Sequence, residues 1–340
     1  MGRIDQFTTN VKSHRLSRGV QGFNCIRISF EMTQPPALDV LGLGESSVDH
    51  VNLLPTAPLA RGTASKLRIS SAFDAAGGQI ASMLAACSGL GLRAGYLGPL
   101  GNDDNGRLIR SELKRRGVDL SNVLVRDAPA RFAIILVDES TGERTVLWHR
   151  DPGLDIGEGE IDPAILTARV LHVDDVDEQA AIRTARAATA RGVMVTSDLD
   201  RVTERTNDLV GSVSIPIFAE HVPPALTGER DPERALRKLR KQHAGLLCVT
   251  LGTAGSMALD GDRVIHVPAF KVHAVDTTGA GDVFRAGFVY ALLAGWPTLD
   301  VLKFANAAAA VSCTRLGAMG SAPTLAEVEQ MLSGDFVSTS

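Results

Sequence analysis

Sulfur and aromatic rings are scarce in this chain. Its four cysteines, Cys25, Cys87, Cys248 and Cys313, are scattered over 340 residues with no C-x-x-C pair. That spacing excludes a disulfide framework and a cysteine-built zinc site. Cys87, Cys248 and Cys313 lie in apolar runs and read as small core residues, so a reduced, cytoplasmic protein is expected. Aromatics make up only 4% of the residues, which leaves Ala, Leu and Val to build the core. No stretch of 18 apolar residues occurs, so no membrane-spanning helix is expected. The net charge of −4 gives no electrostatic reason for a nucleic acid or an anionic membrane as partner. Neither G-x-x-x-x-G-K-[ST] nor G-x-S-x-G is present, and the eight histidines show no zinc-site spacing. "GLGESS" at 42–47 lacks the third glycine of a dinucleotide loop and no helix opens there.

What the chain does have is glycine, 33 of them, and 44% apolar residues in a regular alternation of strand and helix. "LDVLGLG" reads as a buried strand, 77–91 as an Ala-rich helix, "RAGYLG" as a strand and 104–118 as a helix. The alternation continues with "ARVLHVDD", a helix over 178–192, "VMVTSD", the helix "DPERALRKLRKQHAG", "LLCVTLG" and a helix over 299–317. Repeated β-α units with short connections predict a parallel sheet covered on both faces. Two segments break the rhythm, 47–71 and 131–149, the second a hairpin with Thr141-Gly142 near its tip. They predict a small sheet apart from the main one, either a lid over the cleft or an edge extension. Residues 1–31 are basic, without a long apolar block, and are expected to be a poorly ordered extension ahead of a natural start at Met32.

The sharpest feature is "AVDTTGAGDVFRAGF" at 274–288. Asp276 closes the alternating run "RVIHVPAFKVHAV", which reads as strand, and Asp282 opens an amphipathic helix. The amides of Gly279, Ala280 and Gly281 would then converge at a helix N-terminus, where unpaired donors and the helix dipole favour an anion. A carboxylate in that turn fits if Asp282 accepts a proton from a substrate hydroxyl while the amides hold the transferring charge. Plain N-capping by Asp276 or Asp282 is the alternative.

"VDTTGAGDVFRAGF" resembles the C-terminal signature of the ribokinase-like (PfkB-type) carbohydrate kinases. "DVLGLGESSVDHV" (39–51) resembles that family's first strand, and "GGQIASMLAACSGLGLRAGYLGPLGNDDNG" (77–106) its N-terminal signature. "VTLGTAGSMALDGD" (249–262) resembles its nucleotide-binding strand and loop. The resemblance covers about 38–330 and implies an α/β fold, a ribokinase-like three-layer Rossmann-like sandwich with a small β-sheet lid, over 32–335. It implies transfer of the ATP γ-phosphoryl group to a hydroxyl of a small sugar or related alcohol, with Mg²⁺. Asp282 would be the base and Gly279, Ala280 and Gly281 the anion hole. Asp49, Gly77, Gly78, Gln79 and Ser82 would meet the acceptor. Thr250, Gly252, Gly255 and Gly281 would line the nucleotide site, with Asn306 beside the adenine. A K⁺ site would involve Asp276, Thr278, Ser312, Arg315, Gly317 and Ser321, and a homodimer contact would run through the lid.

Three departures bear on function. Where the family has N-x-x-E, this chain reads Ala219-Glu220-His221-Val222, leaving Glu220 or Asp198 as substitutes or Mg²⁺ held by the nucleotide. Gln79 and Ser82 stand where asparagines are common, and "SDLDR" (197–201) replaces an Asp-x-Asn-x-Arg run. "STGERTVLWHRD" resembles the lid hairpin of ketohexokinase-like members, which implies a ketose; nucleosides are the rival acceptors. A phosphate-bearing acceptor would need cations near Asp49 and Gly78, for which Arg68 and Arg150 are candidates. Asp174 and Asp175 end a strand where they either meet acceptor hydroxyls or cap the helix from Glu178. A catalytically weak ligand-binding or regulatory protein on the same fold is the reading from a different class.

Overall fold

The computed structural model describes residues 37–56, 66–141 and 143–337. The expected extension over 1–31, the Met32 start and Gly142 at the hairpin tip lie outside them. In chain order the strands and helices are β1 (Val40–Leu43), β2 (Ser47–Leu54), β3 (Ser71–Gly77), α1 (Gln79–Gly89), β4 (Ala94–Leu97), β5 (Pro99–Gly101), α2 (Asp104–Arg115) and β6 (Leu124–Arg126). The hairpin β7 (Phe132–Asp138) and β8 (Arg144–His149) precedes β9 (Val170–Asp174), α3 (Glu178–Ala190), β10 (Met194–Leu199) and α4 (Thr206–Val210). Next come β11 (Ile215–Phe218), α5 (Val222–Thr227), α6 (Pro232–Leu239), β12 (Leu247–Thr250), β13 (Ser256–Asp260) and β14 (Arg263–Val267). The helices α7 (Ala280–Leu293), α8 (Thr298–Ser312) and α9 (Leu325–Ser333) close the described chain.

The main sheet has eight strands in the order β14-β13-β12-β11-β10-β9-β1-β4, parallel from β12 through β4 with β13 and β14 antiparallel. Alternate side chains of its strands enter two separate cores. Val40, Val170, Ile217 and Cys248 pack with residues of α1, α7 and α8, whereas Leu41, Leu171, Val195 and Leu247 pack with residues of α3 and α6. This is the three-layer sandwich expected, with both faces of a parallel sheet covered. Cys87 and Cys248 are buried in the first core.

From β1 the chain moves to β4 on one side, and β9 later fills the other. The gap between the C-terminal ends of β1 and β9 is thus the topological switch point, the crevice where open α/β sheets take ligands. A second sheet, β3-β2-β7-β8, adjoins this region: β2 follows the end of β1 after three residues, and β3 leads into α1 at Gly78. It includes the expected hairpin, but its edge strand is β3 and not "SKLRISS", of which residues 66–69 belong to no strand. Phe73, Ile134, Val146, Leu147 and Trp148 of this sheet are exposed, Trp148 to 70%.

Two further boundaries differ from the sequence reading. The run ending at Asp276 is strand only as far as Val267. Pro268 has no N–H to continue the ladder, and Asn306 Nδ2 instead donates to the carbonyls of Val267 and Pro268. The helix expected over 299–317 stops at Ser312, because the carbonyl of Cys313 accepts from the amides of Val275 and Asp276 and draws the chain away.

Candidate active site

Two glycines set the backbone of the cleft. Gly78 links β3 to α1 at φ 94°, and a Cβ there would lie 2.7 Å from Ser46 Cα. Gly279 precedes α7 at φ 77°, and its Cβ would lie 2.8 Å from Ala318 Cα. Only glycine combines that conformation with so close an approach. A Cβ on Gly77 would meet Asp49 Oδ2 at 3.3 Å and Ala318 Cβ at 3.9 Å. Strand β2 carrying Asp49, the Gly77-Gly78 corner and the Gly279 turn therefore meet around one cleft, although more than 200 residues of chain separate the first from the last.

Asp282 stands in the first turn of α7, whose N-cap is Gly279 and which no side chain caps. The N-capping alternative is thereby set aside for both aspartates: Asp276 Oδ1 accepts from Thr278 N, two residues on and ahead of the helix. Ala280 N donates to the Thr277 carbonyl at 3.2 Å, which takes it out of the expected set and leaves the amides of Gly279, Gly281 and Asp282 to face an anion. Burial pushes the Asp282 carboxyl well above the usual carboxylate range, the nearby Asp198 charge pushes the same way, and Arg285 opposes both.

Arg285 is a residue that motif reading missed. It lies one turn past Asp282 and is 3% exposed. Its Nη1 lies 2.8 Å from where a Cβ of Gly281 would be, and its Nη2 is 2.5 Å from Asp198 Oδ1. Gly281 thus leaves room for a guanidinium beneath the anion-binding turn. Burial raises Asp198 to about 7 in spite of Arg285, whose charge pulls it down. The contact is a close charge pair without hydrogen-bond angles, and Asp198 Oδ1 has no other partner. A lone arginine inside the apolar run "VFRAGF" was the available signal.

Around the acceptor side, Asp49 is raised to about 6, first by burial and then by the charge of Glu45. Gln79 opens α1 with a buried, unpartnered Oε1. Ser82 is fully buried, its Oγ unpartnered, and offers no surface to an acceptor. Asp174 and Asp175 do not cap α3, whose cap residue is Asp177. Asp174 accepts from the amides of Glu45 and Val176, and Asp175 Oδ2 from those of Asp200 and Arg201, so both brace the loops of the switch point. Arg131 lies 3.1 Å from Glu45, and Arg150 pairs with Asp155 and Asp177. The Arg150 candidate for an acceptor phosphate is thus already opposed by two carboxylates. Arg68 is exposed.

Among the expected nucleotide positions, Thr250 ends β12, Gly252 opens a short 3₁₀ turn and Gly255 closes it. Asn306 is 5% exposed, with its amide donating to the main chain of Val267 and Pro268. In place of N-x-x-E, His221 Nε2 donates to the Asp200 carbonyl at 2.7 Å and ties the end of β11 to the end of β10, while Glu220 is exposed.

The expected K⁺ set is partly assembled. Asp276 Oδ1 accepts from Thr278 N and Oγ1, and Oδ2 accepts from Gly317 N at 3.0 Å. A guanidinium stands there too: Arg144 at the start of β8 donates from Nη2 to Asp276 Oδ1 at 3.0 Å and from Nη1 to Thr278 Oγ1 at 2.6 Å. Burial alone would raise Asp276, but the Gly317, Thr278 and Arg144 donors outweigh it and hold the carboxyl at about 2. Ser312 Oγ and Ser321 Oγ donate to carbonyls within their own turns, and Arg315 pairs with Glu327.

Comparison with known proteins agrees with this geometry. The pfkB family carbohydrate kinase profile matches residues 48–325. An ATP-dependent ribose-1-phosphate kinase of Halopiger xanaduensis is 32% identical over 87% of this chain and 99% of its own length. Fructokinase-1 of Zea mays is 31% identical over 86% of this chain and 97% of its own. Among solved structures, an Arabidopsis thaliana ribokinase complexed with ribose and ATP superposes with a TM-score of 0.77 at 26% identity, covering 87% of this chain and 99% of that one.

Proposed function

The chain belongs to the pfkB family of carbohydrate kinases, ATP-dependent phosphotransferases acting on sugar hydroxyls, and we propose that it phosphorylates a neutral sugar, a ketose first, with Asp282 as general base. The observation that carries this reading is the convergence of Asp282, the uncapped first turn of α7 and Asp49 on one cleft at the sheet's switch point. Asp49 orients the acceptor hydroxyls. Asp282 takes the proton of the attacking one, and the Gly279, Gly281 and Asp282 amides, backed by Arg285, hold the charge that develops on the transferring group.

Neutrality of the acceptor rests on charge. Arg131, Arg150, Arg144 and Arg285 each already face a carboxylate. Asp49 and Glu45 add negative charge where an acceptor phosphate would sit. The likeness to plant fructokinases supports a ketose. Mg²⁺ suits one donor here: Asp175 Oδ1, just past the end of β9, is a buried carboxylate oxygen without a hydrogen-bond donor among the described residues, whereas Asp198 Oδ1 already faces Arg285. When bound with the nucleotide, the ion would neutralise phosphate charge. A homodimer through the exposed apolar side chains of the lid, and the lid as a unit over the sandwich, belong to the same reading.

The test is ADP release with MgATP across neutral ketoses and aldoses, sugar phosphates and nucleosides. Turnover confined to neutral sugars is expected. Preference for a sugar phosphate or a nucleoside would contradict the acceptor assignment while leaving the kinase intact.

A further inference from the structure

We propose that Arg144 is a positioning residue whose guanidinium takes the place of a monovalent cation at Asp276 and Thr278, joining the lid to the anion-binding turn. The assignment rests on the kinase reading for its catalytic consequence, but its geometry stands alone. Arg144 Nη1 donates to Thr278 Oγ1, that hydroxyl donates to Asp276 Oδ1 at 2.7 Å, and Arg144 Nη2 donates to the same oxygen. Three hydrogen bonds close a ring through residues 132 and 134 positions apart. Asp276 Oδ1 thus accepts from two side-chain donors, Arg144 Nη2 and Thr278 Oγ1, and from the Thr278 amide, while Gly317 N donates to Oδ2. A K⁺ ion approaching Asp276 Oδ1 would have to displace the guanidinium.

The ring joins the two halves of the cleft. Arg144 pairs across the lid sheet with Val137, and Val137 with Leu53 of β2. Leu53 lies on the same face of β2 as Asp49, four residues earlier, because strand side chains alternate. Thr278, at the other end, directly precedes Gly279. A bidentate arginine restricts both partners in orientation as well as distance, which a spherical ion does not. Lid placement over the acceptor and ordering of the turn that meets the transferring charge are therefore one event.

The experiment compares the full chain with Arg144→Met in K⁺ and in tetramethylammonium at matched ionic strength. It reads the unfolding temperature without substrates, and then kcat on the best acceptor. Arg144 is 45% exposed at its side chain, so the substitution is compatible with folding. Arg144→Lys serves as the charge-retaining control. The proposal expects wild type to be indifferent to K⁺ in both readouts. It expects Arg144→Met to lose roughly tenfold in kcat without K⁺, to regain most of it with K⁺, and to gain a K⁺-dependent rise in unfolding temperature. K⁺ activation or stabilisation of wild type, or a defect in Arg144→Met that K⁺ leaves unchanged, overturns it. If no acceptor is turned over, the kinase reading fails while the thermal comparison still decides the cation question.

Discussion

Arg285 and Asp198 face each other at 2.5 Å with side chains only 4% and 3% exposed, directly under the turn that carries Asp282. Removing the arginine leaves a buried carboxylate uncompensated, which typically costs about 3–5 kcal/mol. Asp198 already sits at about 7 and can escape the cost by taking a proton. Arg285→Met should therefore destabilise the protein by about 3 kcal/mol near pH 8 and clearly less near pH 5, measured by urea unfolding. Adding Asp198→Asn should return much of the stability and none of the turnover. An equal deficit at both pH values would contradict the pairing.

Asp49 carries the opposite lesson. Its carboxyl is raised to about 6 in the folded protein against an unfolded value of 3.8. The folded state then holds the proton more tightly, so this group costs stability as pH rises from about 4 through 6 and leaves the cost in place above. Asp49→Asn should raise the unfolding temperature near pH 8 and leave it unchanged near pH 4. Partial exposure of the group screens the charge and keeps the gain well below what the full shift would give. The same variant should raise KM for the acceptor strongly, since ordered hydroxyl contacts would be lost.

Gly279 tests the turn itself. With φ at 77° and Ala318 Cα 2.8 Å from the position of a Cβ, Gly279→Ala must move either the turn or the 313–318 segment. A cost of about 1–3 kcal/mol is expected, and kcat should fall more than the acceptor KM rises. Gly252→Ala is the control: φ is 53°, but nothing lies within 4 Å of its Cβ. It should show the conformational cost without the displacement.

The exposed lid supplies a prediction about assembly. Trp148 is 70% exposed, beside Leu147 at 53% and Val146 at 51%. Val146 and Trp148 share one face of β8, and large apolar side chains exposed together favour burial against another surface. Wild type should sediment as a dimer, and Trp148→Glu should shift it toward monomer with its unfolding temperature little changed. A monomeric wild type at working concentration would remove the dimer from the account.

What could be read from the sequence was local. The periodicity of α1, α2, α3 and α7 and the motif glycines at 77–78 and 279–281 are set by contacts within a few residues, and they were found where expected. The end of β14 was not, because Pro268 and the Asn306 clamp act against a run whose alternation continues to Val275. Strand β3, "SAFDAAG", has too little apolar patterning to be seen apart from the sheet that holds it. The site divides in the same way. Asp49, Gly77, Gly279 and Asp282 came from motifs, whereas Arg144 with Asp276, Arg131 with Glu45 and Arg285 with Asp198 are pairs that only the folded chain brings together. The burial of Ser82, with its Oγ unpartnered, is likewise something its place in the motif does not reveal.

The most direct measurement is the turnover of Asp282→Asn beside its affinity for ATP, taken by calorimetry on the same preparation. Loss of a general base should lower kcat by about 10²–10⁴-fold. ATP affinity should stay within a few-fold of wild type, because relieving the Asp282 charge removes repulsion and no donor. Near-normal turnover in this variant would contradict the assignment of Asp282 as the base.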